Sequence, residues 1–378
     1  MPTSRQLSSF SFVAAGARTD VVVGPGALAS LDARLRRIAP GRWFLISSKK
    51  VFLLHGHLVS AGGAERVLSK EPLFVPDGER AKTWEVLGRL LEELVRRGLR
   101  RDGGVVALGG GTVGDVAGLA AALALRGVPV VQAPTTLLAA SDSALGGKTA
   151  VDLPSGKNLA GAFHPARLVV VDPSVLETLP LRAYRSGLAE VVKSSMLDAG
   201  FHRAMAQLEV PLSAREPAAV AEVVRRSLRV KAHAVAGDPF ERTGERASLN
   251  LGHTVGHALE TASGHRLQHG EAVAWGLLAA LRLSVTRAGL LRGTAETLAG
   301  RVVRLVQAPR PAAAAVRGVA SLLGADKKTD RVGLRAVLLT RPGRAVLVRV
   351  EATELLEAFE GALARYNTVG WVLPGFRA

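Results

Sequence analysis

The 378-residue chain contains no cysteine. That excludes disulfides and thiolate metal sites, so any bound metal must be held by histidine and carboxylate, and the composition fits a cytoplasmic protein. Long apolar runs are lacking too. Charges or glycines interrupt every candidate, and the N-terminal MPTSRQLSSFSF has no basic region followed by an apolar core. The expectation is no signal peptide and no membrane span. Aromatic residues make up only 4 % and do not interleave with the charges, so no base-stacking platform is visible despite a formal net charge of +17. The basic residues are scattered, many as arginine pairs closing helical patterns, as in LVRRGLRRDGG, where cations suit the negative end of the helix dipole. Neither nucleic acid nor membrane is an expected partner.

Lysine is scarce as well: arginine supplies 39 of the 49 basic residues and lysine only ten. Seven of those ten, Lys82, Lys148, Lys157, Lys193, Lys231, Lys327 and Lys328, fall in glycine-rich or motif-like stretches. In a chain that otherwise prefers arginine, a retained lysine hints at a site needing a compact point charge.

What is present divides the chain in two. Its length suffices for two domains with cores of their own, and 48 % apolar residues argue for a globular protein. Between residues 20 and 175, β-branched runs (DVVVG, RWFLIS, GVVALGGG, VPVVQAP, RLVVVD) alternate with helical patterns (TWEVLGRLLEELVRRG, GDVAGLAAALALR), which predicts a parallel sheet with helices on both faces. Beyond about residue 180 strand signals nearly vanish. Long helical patterns follow, among them SGLAEVVKSSMLDAG, SLNLGHTVGHALETA and EAVAWGLLAALRLSVTRAG, with RAVLLTRPGRAVLVRV as a late hairpin. The boundary is expected near ETLPLRAYRS, where Pro180 interrupts, giving an α/β domain over 1–180 and a mainly helical one over 181–378.

In the first half, VVALGGGTVGD runs an apolar strand into Gly109, Gly110 and Gly111 and then a helix. Glycines there let the backbone approach a diphosphate whose charge the helix N-terminus favours. The spacing is not the G-x-G-x-x-G dinucleotide fingerprint, and a plain tight strand–helix turn remains the competing reading. QAPTTLLAASDSALGGKTAVDLPSGKNLAG then packs Thr135, Thr136, Asp142, Lys148, Lys157 and Asn158 into one stretch with little core-building sequence. Such polar density costs stability unless it binds something. In the second half, His253 and His257 of NLGHTVGHALE lie about 40° apart around a helix, near enough for one ion. Glu260, Glu190 with Lys193 one turn along, and His269 with Glu271 beside it are the other groups on offer. Spacing alone chooses His253, His257 and one carboxylate, and leaves the third ligand open.

Taken together, GGGTVGD, PTTLLAASDSALGGKTAVDLPSGKNLAGAF, LPLRAYRSGLAEVVK, LNLGHTVGHALE, HGEAVAWG and DKK resemble, in order and spacing, the 3-dehydroquinate synthase family over about residues 20–350. The resemblance implies an N-terminal Rossmann-like NAD domain, a C-terminal helical metal domain and a homodimer. It assigns a divalent metal, zinc or cobalt, to Glu190, His253 and His269, and makes His257 a supporting or substrate-contacting group. NAD would lie along Gly110, Gly111, Thr112, Asp115, Thr135 and Thr136, with Glu79 and Lys82 nearby and Asp142, Lys148 and Lys157 within reach. Asp142, Lys148, Lys157, Asn158, Lys193, Lys231, Glu241, Arg246, Asn250, His257, Lys327, Lys328 and Arg126 would surround the substrate.

The activity so implied is conversion of 3-deoxy-D-arabino-heptulosonate 7-phosphate, a sugar acid phosphate, to 3-dehydroquinate and phosphate. Several cations must then converge on one small dianionic molecule, which accounts for the retained lysines. Two departures keep alternatives in play. Where many relatives carry Asp or Asn for the adenosine ribose, this chain has Ser48 followed by Lys49 and Lys50, a pair that would suit NADP if it is not simply solvated. GDPFERTGER is one residue longer than usual, which admits a sister cyclase acting on sedoheptulose 7-phosphate or an amino-dehydroquinate synthase. A metal-dependent polyol dehydrogenase is the alternative of another class, although an uncharged polyol needs none of the clustered lysines.

Overall fold

A computed structural model describes residues 7–60, 67–69, 71–329 and 334–366, apart from the side chains of 60 and 325–329. The chain divides into two compact units, one of residues 1–179 with 220–240, the other of 180–219 with 241–378. Among the described residues no helix is long and apolar enough to cross a membrane.

The first unit is built on β1 (Ser8–Ala14), β2 (Ala17–Val23), α1 (Leu31–Ile38), β3 (Trp43–Ser48), α2 (Lys49–Ser60), β4 (Leu73–Val75), α3 (Trp84–Arg96), β5 (Gly104–Gly109), α4 (Gly111–Leu123), β6 (Val130–Pro134), β7 (Lys148–Leu153), β8 (Gly156–Phe163) and β9 (Leu168–Val171). Seven of these strands form one sheet in the order β1-β2-β9-β6-β5-β3-β4, parallel except for β1 against β2. Every residue of β3, β5, β6 and β9 is buried, as strands covered on both faces must be. DVVVG marks the second half of β2, whereas β1 and the three-residue β4 carry too polar or too short a pattern to stand out in the sequence.

Strand order locates a binding crevice within this unit. The chain leaves β3 toward β4 on one side and leaves β5 toward β6 on the other, although β3 and β5 are neighbours. Right-handed crossovers then put α2 on one face of the sheet and α3 and α4 on the other. Ligands of such sheets bind outside the carboxyl ends of the strands at this reversal. Here those ends are Ser48 and the glycines 109–111.

The second unit contains α5 (Leu181–Leu197), α6 (Ala199–Ser213), α8 (His253–Ala262), α9 (His269–Arg287), α10 (Arg292–Val306), α11 (Ala313–Thr329), the hairpin β10 (Arg335–Arg341) and β11 (Arg344–Arg349), and α12 (Ala352–Tyr366). Most of α7 (Pro217–Gly237), between α6 and α8, belongs to the first unit. The expected helix over SLNLGHTVGHALETA is interrupted: a 3₁₀ turn covers Glu245–Asn250, Gly252 adopts φ +78°, and α8 starts at His253. The reason is tertiary. A Cβ on Gly276 of α9 would lie 1.8 Å from the Gly252 carbonyl oxygen, so the two backbones touch and only glycines fit. A Cβ on Gly270, at the start of α9, would lie 1.8 Å from the Ser186 carbonyl oxygen of α5.

These approaches set the spacing of α5, α8 and α9. Gly276→Ala is therefore expected to cost about 3 kcal/mol, the upper end for overpacking, because the blocking atom is backbone and cannot step aside. Gly88→Ala in α3, where an added Cβ meets nothing within 4 Å, is expected to stabilise by about 0.5–1 kcal/mol. Urea titration of both variants checks the contrast, and equal midpoints would contradict it.

Candidate functional site

Three elements of the second unit contribute one donor each to a largely buried cluster that is open on the His269 side. Glu190 comes from the middle of α5, His253 is the first residue of α8 and His269 the first of α9. The start of α9 is held by a capping box between Gln268 and Glu271, and by Arg182, which binds both Glu271 oxygens at 2.6 and 2.8 Å. Glu271, noted in the sequence beside His269, thus fixes the helix end that presents the histidine. The Gly270 N–H donates to Ser186 Oγ at 3.1 Å, tying that end to α5 one turn before Glu190.

Glu190 is 1 % exposed. Its Oε2 pairs with Lys193, while its buried Oε1 accepts no hydrogen bond and faces His253 Nε2 at 3.7 Å and His269 Nε2 at 3.6 Å. Those distances are too long for hydrogen bonds. They suit donors arranged around an ion: ligands about 2.1 Å from a tetrahedral metal lie about 3.4 Å from one another. Ligand atoms of Glu190, His253 and His269 all fall within 4.8 Å of one another, the one such group among the described residues. A divalent cation fits this donor set, which leaves room for further ligands in the manner of a catalytic site.

The electrostatics are uneven. Burial, then the Lys193 charge, pushes His253 down to about 3, so that ring is neutral and able to coordinate. Burial also disfavours the charged form of His269, but the two neighbouring carboxylates, Glu190 facing one ring nitrogen and Glu260 bonded to the other, outweigh it and raise the group to about 10. Burial would raise Glu190, yet Lys193 and the two imidazoles hold it well below the usual carboxylate range. His257, one turn along α8, has its ring centroid 5.0 Å from that of His253 and 5.9 Å from that of His269, outside the three-donor cluster. Burial and the His269 charge lower its pKa.

In the first unit the candidate dinucleotide residues gather at the strand reversal. Gly110 is the N-cap of α4, Gly111 and Thr112 open it, and Asp115 lies in its second turn. Thr135 donates its N–H to Gly109 O at 2.9 Å, and the Thr136 hydroxyl receives the Ala139 N–H at 3.2 Å. Lys82, 4 % exposed, pairs with Asp115 at 2.7 Å and donates to Asn158 Oδ1. Burial raises the Asp115 carboxyl against the pull of Lys82. Glu79 and Lys157 approach to 4.0 Å. Asp142 sits in a π-helical turn, Ala139–Ser143, and Lys231 of α7 donates both to its carboxylate at 2.8 Å and to its carbonyl oxygen at 2.9 Å. Such turns are frequent at functional sites.

The polar stretch that stood out in the sequence runs from the end of β6 through this π-helical turn into the β7–β8 hairpin, with Lys148 opening β7. Arg126 is not brought to this group. It is exposed beyond the far end of α4, roughly 20 Å along that helix from Gly111. Lys49 and Lys50 are the exposed first residues of α2, and Ser48 Oγ accepts the Val51 N–H at 3.3 Å. Within the second unit, Arg246 is 2 % exposed with Glu241 Oε1 at 3.3 Å from its Nε, and Asn250 is exposed. The side chains of Lys327 and Lys328 lie outside the described residues.

Sequence spacing missed the partner of His269. Glu260 Oε2 is 3.0 Å from His269 Nδ1, and no periodicity links a residue near the end of α8 to the start of α9.

Comparison with known proteins agrees with this arrangement. Residues 72–186 match the family described as 3-dehydroquinate synthase N-terminal, and residues 187–329 match 3-dehydroquinate synthase C-terminal. A 3-dehydroquinate synthase from Symbiobacterium thermophilum is 42 % identical over 335 residues, covering 87 % of this chain and 93 % of the relative. Among solved structures, 2-epi-5-epi-valiolone synthase from Streptomyces hygroscopicus, with NAD+ and Zn2+ bound, superposes with a TM-score of 0.80 at 29 % identity over 92 % of this chain and 97 % of its own. A 2-deoxy-scyllo-inosose synthase complexed with carbaglucose-6-phosphate, NAD+ and Co2+ gives 0.81 at 25 % identity over 94 % and 99 %. A Rossmann-like parallel sheet, a helical C-terminal part and these matches from residue 72 to 329 lead to one conclusion: the chain belongs to the 3-dehydroquinate synthase family.

Proposed function

We propose that this chain is a 3-dehydroquinate synthase, a carbon–oxygen lyase that releases phosphate from 3-deoxy-D-arabino-heptulosonate 7-phosphate and closes the product ring. The observation that carries the reading is the Glu190–His253–His269 cluster, with Glu190 buried and His269 partly open, in a chain of this family. The expected boundary at 180 gives way to a split in which residues 1–179 with 220–240 serve as the dinucleotide domain and 180–219 with 241–378 as the metal and substrate domain. When bound by Glu190, His253 and His269, a divalent metal supplies Lewis acidity toward substrate hydroxyls. Gly110, Gly111, Thr112, Asp115, Thr135, Thr136, Glu79 and Lys82 would hold NAD, which would supply reversible hydride acceptance from a substrate hydroxyl.

The remaining side chains bind, orient and move protons. Lys82 neutralises Asp115, keeping a half-buried carboxylate beside the glycine turn from repelling a diphosphate. The ammonium groups of Lys148, Lys157, Lys193 and Lys231 compensate the charge of phosphate and carboxylate, and the Arg246 fork matches a carboxylate. Neutral His257 is suited to accept a proton from a substrate hydroxyl. Asp142 keeps Lys231 in a single orientation through two contacts. Glu241, Asn158 and Asn250 complete the polar set.

The test is incubation with the heptulosonate phosphate and substoichiometric NAD, following phosphate release. Many phosphates per NAD, with no steady rise in absorbance from NADH, is the expected result. One-for-one accumulation of NADH would make the protein a dehydrogenase.

A further inference from the structure

We propose that Glu260 is a positioning residue of the metal centre: its carboxylate holds the Nδ1–H of His269 and so keeps the Nε2 lone pair of that ring turned toward Glu190 and His253. The inference rests on the reading of Glu190, His253 and His269 as metal ligands. A neutral imidazole carries one N–H and one lone pair, so a carboxylate on one nitrogen decides which electron pair the other nitrogen offers. Glu260 Oε2 lies 3.0 Å from His269 Nδ1, while His269 Nε2 faces Glu190 Oε1 at 3.6 Å. His253 is arranged in the same sense. Its Nδ1 lies 3.2 Å from the Leu251 carbonyl oxygen and its Nε2 faces the same Glu190 oxygen at 3.7 Å. Both rings are thus held through Nδ1 and present Nε2 to one point, one by a backbone carbonyl in the turn before α8 and the other by a carboxylate two turns along it.

This placement settles what Glu260 does not do. Because its near oxygen is on the Nδ1 edge of His269, it is on the opposite side of the ring from an ion at Nε2 and is not a ligand of that ion. Its other oxygen is 3.5 Å from His265 Nδ1 on the turn after α8, which steadies the carboxylate from the far side. Carboxylates that orient a ligating histidine in this way also raise the basicity of the ring, and their loss weakens metal affinity 10–100-fold.

A pair of near-isosteric variants tests the proposal. Glu260→Gln keeps an acceptor at the end of the side chain, whereas Glu260→Met keeps its length and removes the acceptor. Zinc affinity is measured by competition with a chromophoric chelator, after thermal melts of both metal-free proteins. The expected result is a 10–100-fold loss for Glu260→Met and, for Glu260→Gln, binding at least about tenfold tighter than Glu260→Met. Equal affinity of the two variants, at either level, overturns the proposal, since a mere tie between α8 and α9 would lower the melting temperature and leave the affinities alike. Nitrogen-15 spectra of zinc-loaded wild-type protein provide a check without any variant: His269 is expected to be protonated at Nδ1 and ligated through Nε2, and the reverse assignment also overturns the proposal. His253→Ala is titrated in parallel. If it binds zinc like the wild type, the metal reading itself is wrong; if it loses zinc while Glu260→Met and Glu260→Gln bind alike, only the role of Glu260 falls.

Discussion

His253→Ala and His269→Ala are expected to lose bound zinc or cobalt, and turnover with it, while His257→Ala keeps most of its metal. The two losses should exceed the 10–100-fold typical of a supporting residue, because each removes one of three protein ligands. Glu190 Oε1 is buried with two Nε2 atoms at 3.6 and 3.7 Å, so deleting either ring leaves a charged carboxylate facing one imidazole and a gap. His257 belongs to the same helix face as His253 but not to the group whose donors converge within 4.8 Å. Its substitution should lower kcat with the metal in place, as expected of a group that handles a proton. Metal content after gel filtration, with added zinc or cobalt tested for rescue, distinguishes these outcomes. Equal metal loss in all three variants would reinstate the pairing of His253 with His257 that helical spacing suggests.

The unmodified protein is expected to turn over sedoheptulose 7-phosphate at least about a hundredfold less efficiently than the heptulosonate phosphate. An arginine fork binding a carboxylate makes two charge-assisted hydrogen bonds worth about 1.5–3 kcal/mol each, and even one of the stronger ones is a factor of about a hundred in kcat/KM. Arg246 is 2 % exposed, and residues 241–245 before it are all exposed. The exposed residues 241–245 thus lead into an arginine that is itself buried. Glu241, at φ +56°, lies on the Nε edge of the guanidinium. Arg246→Ala should narrow the preference for the carboxylate-bearing substrate while metal content stays unchanged. Comparable kcat/KM for the two substrates in the unmodified protein would move the chain to the sister cyclases.

The division of labour between sequence and tertiary structure is visible in particular residues. Strands β3, β5, β6 and β9 were legible because a strand buried on both faces must be a run of apolar residues, and α3 because its apolar positions repeat at the helical period. The glycine turn at 109–111 was legible as a feature of backbone geometry, and two of the retained lysines, Lys82 and Lys193, sit in ion pairs with Asp115 and Glu190. The grouping of Glu190 with His253 and His269 was legible only through resemblance to the family, since local spacing reads one helix at a time and pointed to His253 with His257. What decides the donor set is a contact between helices. Gly270 lets the start of α9 touch α5 at Ser186, Gly276 lets α9 touch the turn at Gly252, and the first residues of two helices then meet the middle of a third. Glu260 beside His269 is of the same kind. The sequence determines which groups are present and the helical or extended period that carries them, whereas only close packing of elements distant along the chain determines which of those groups face one another.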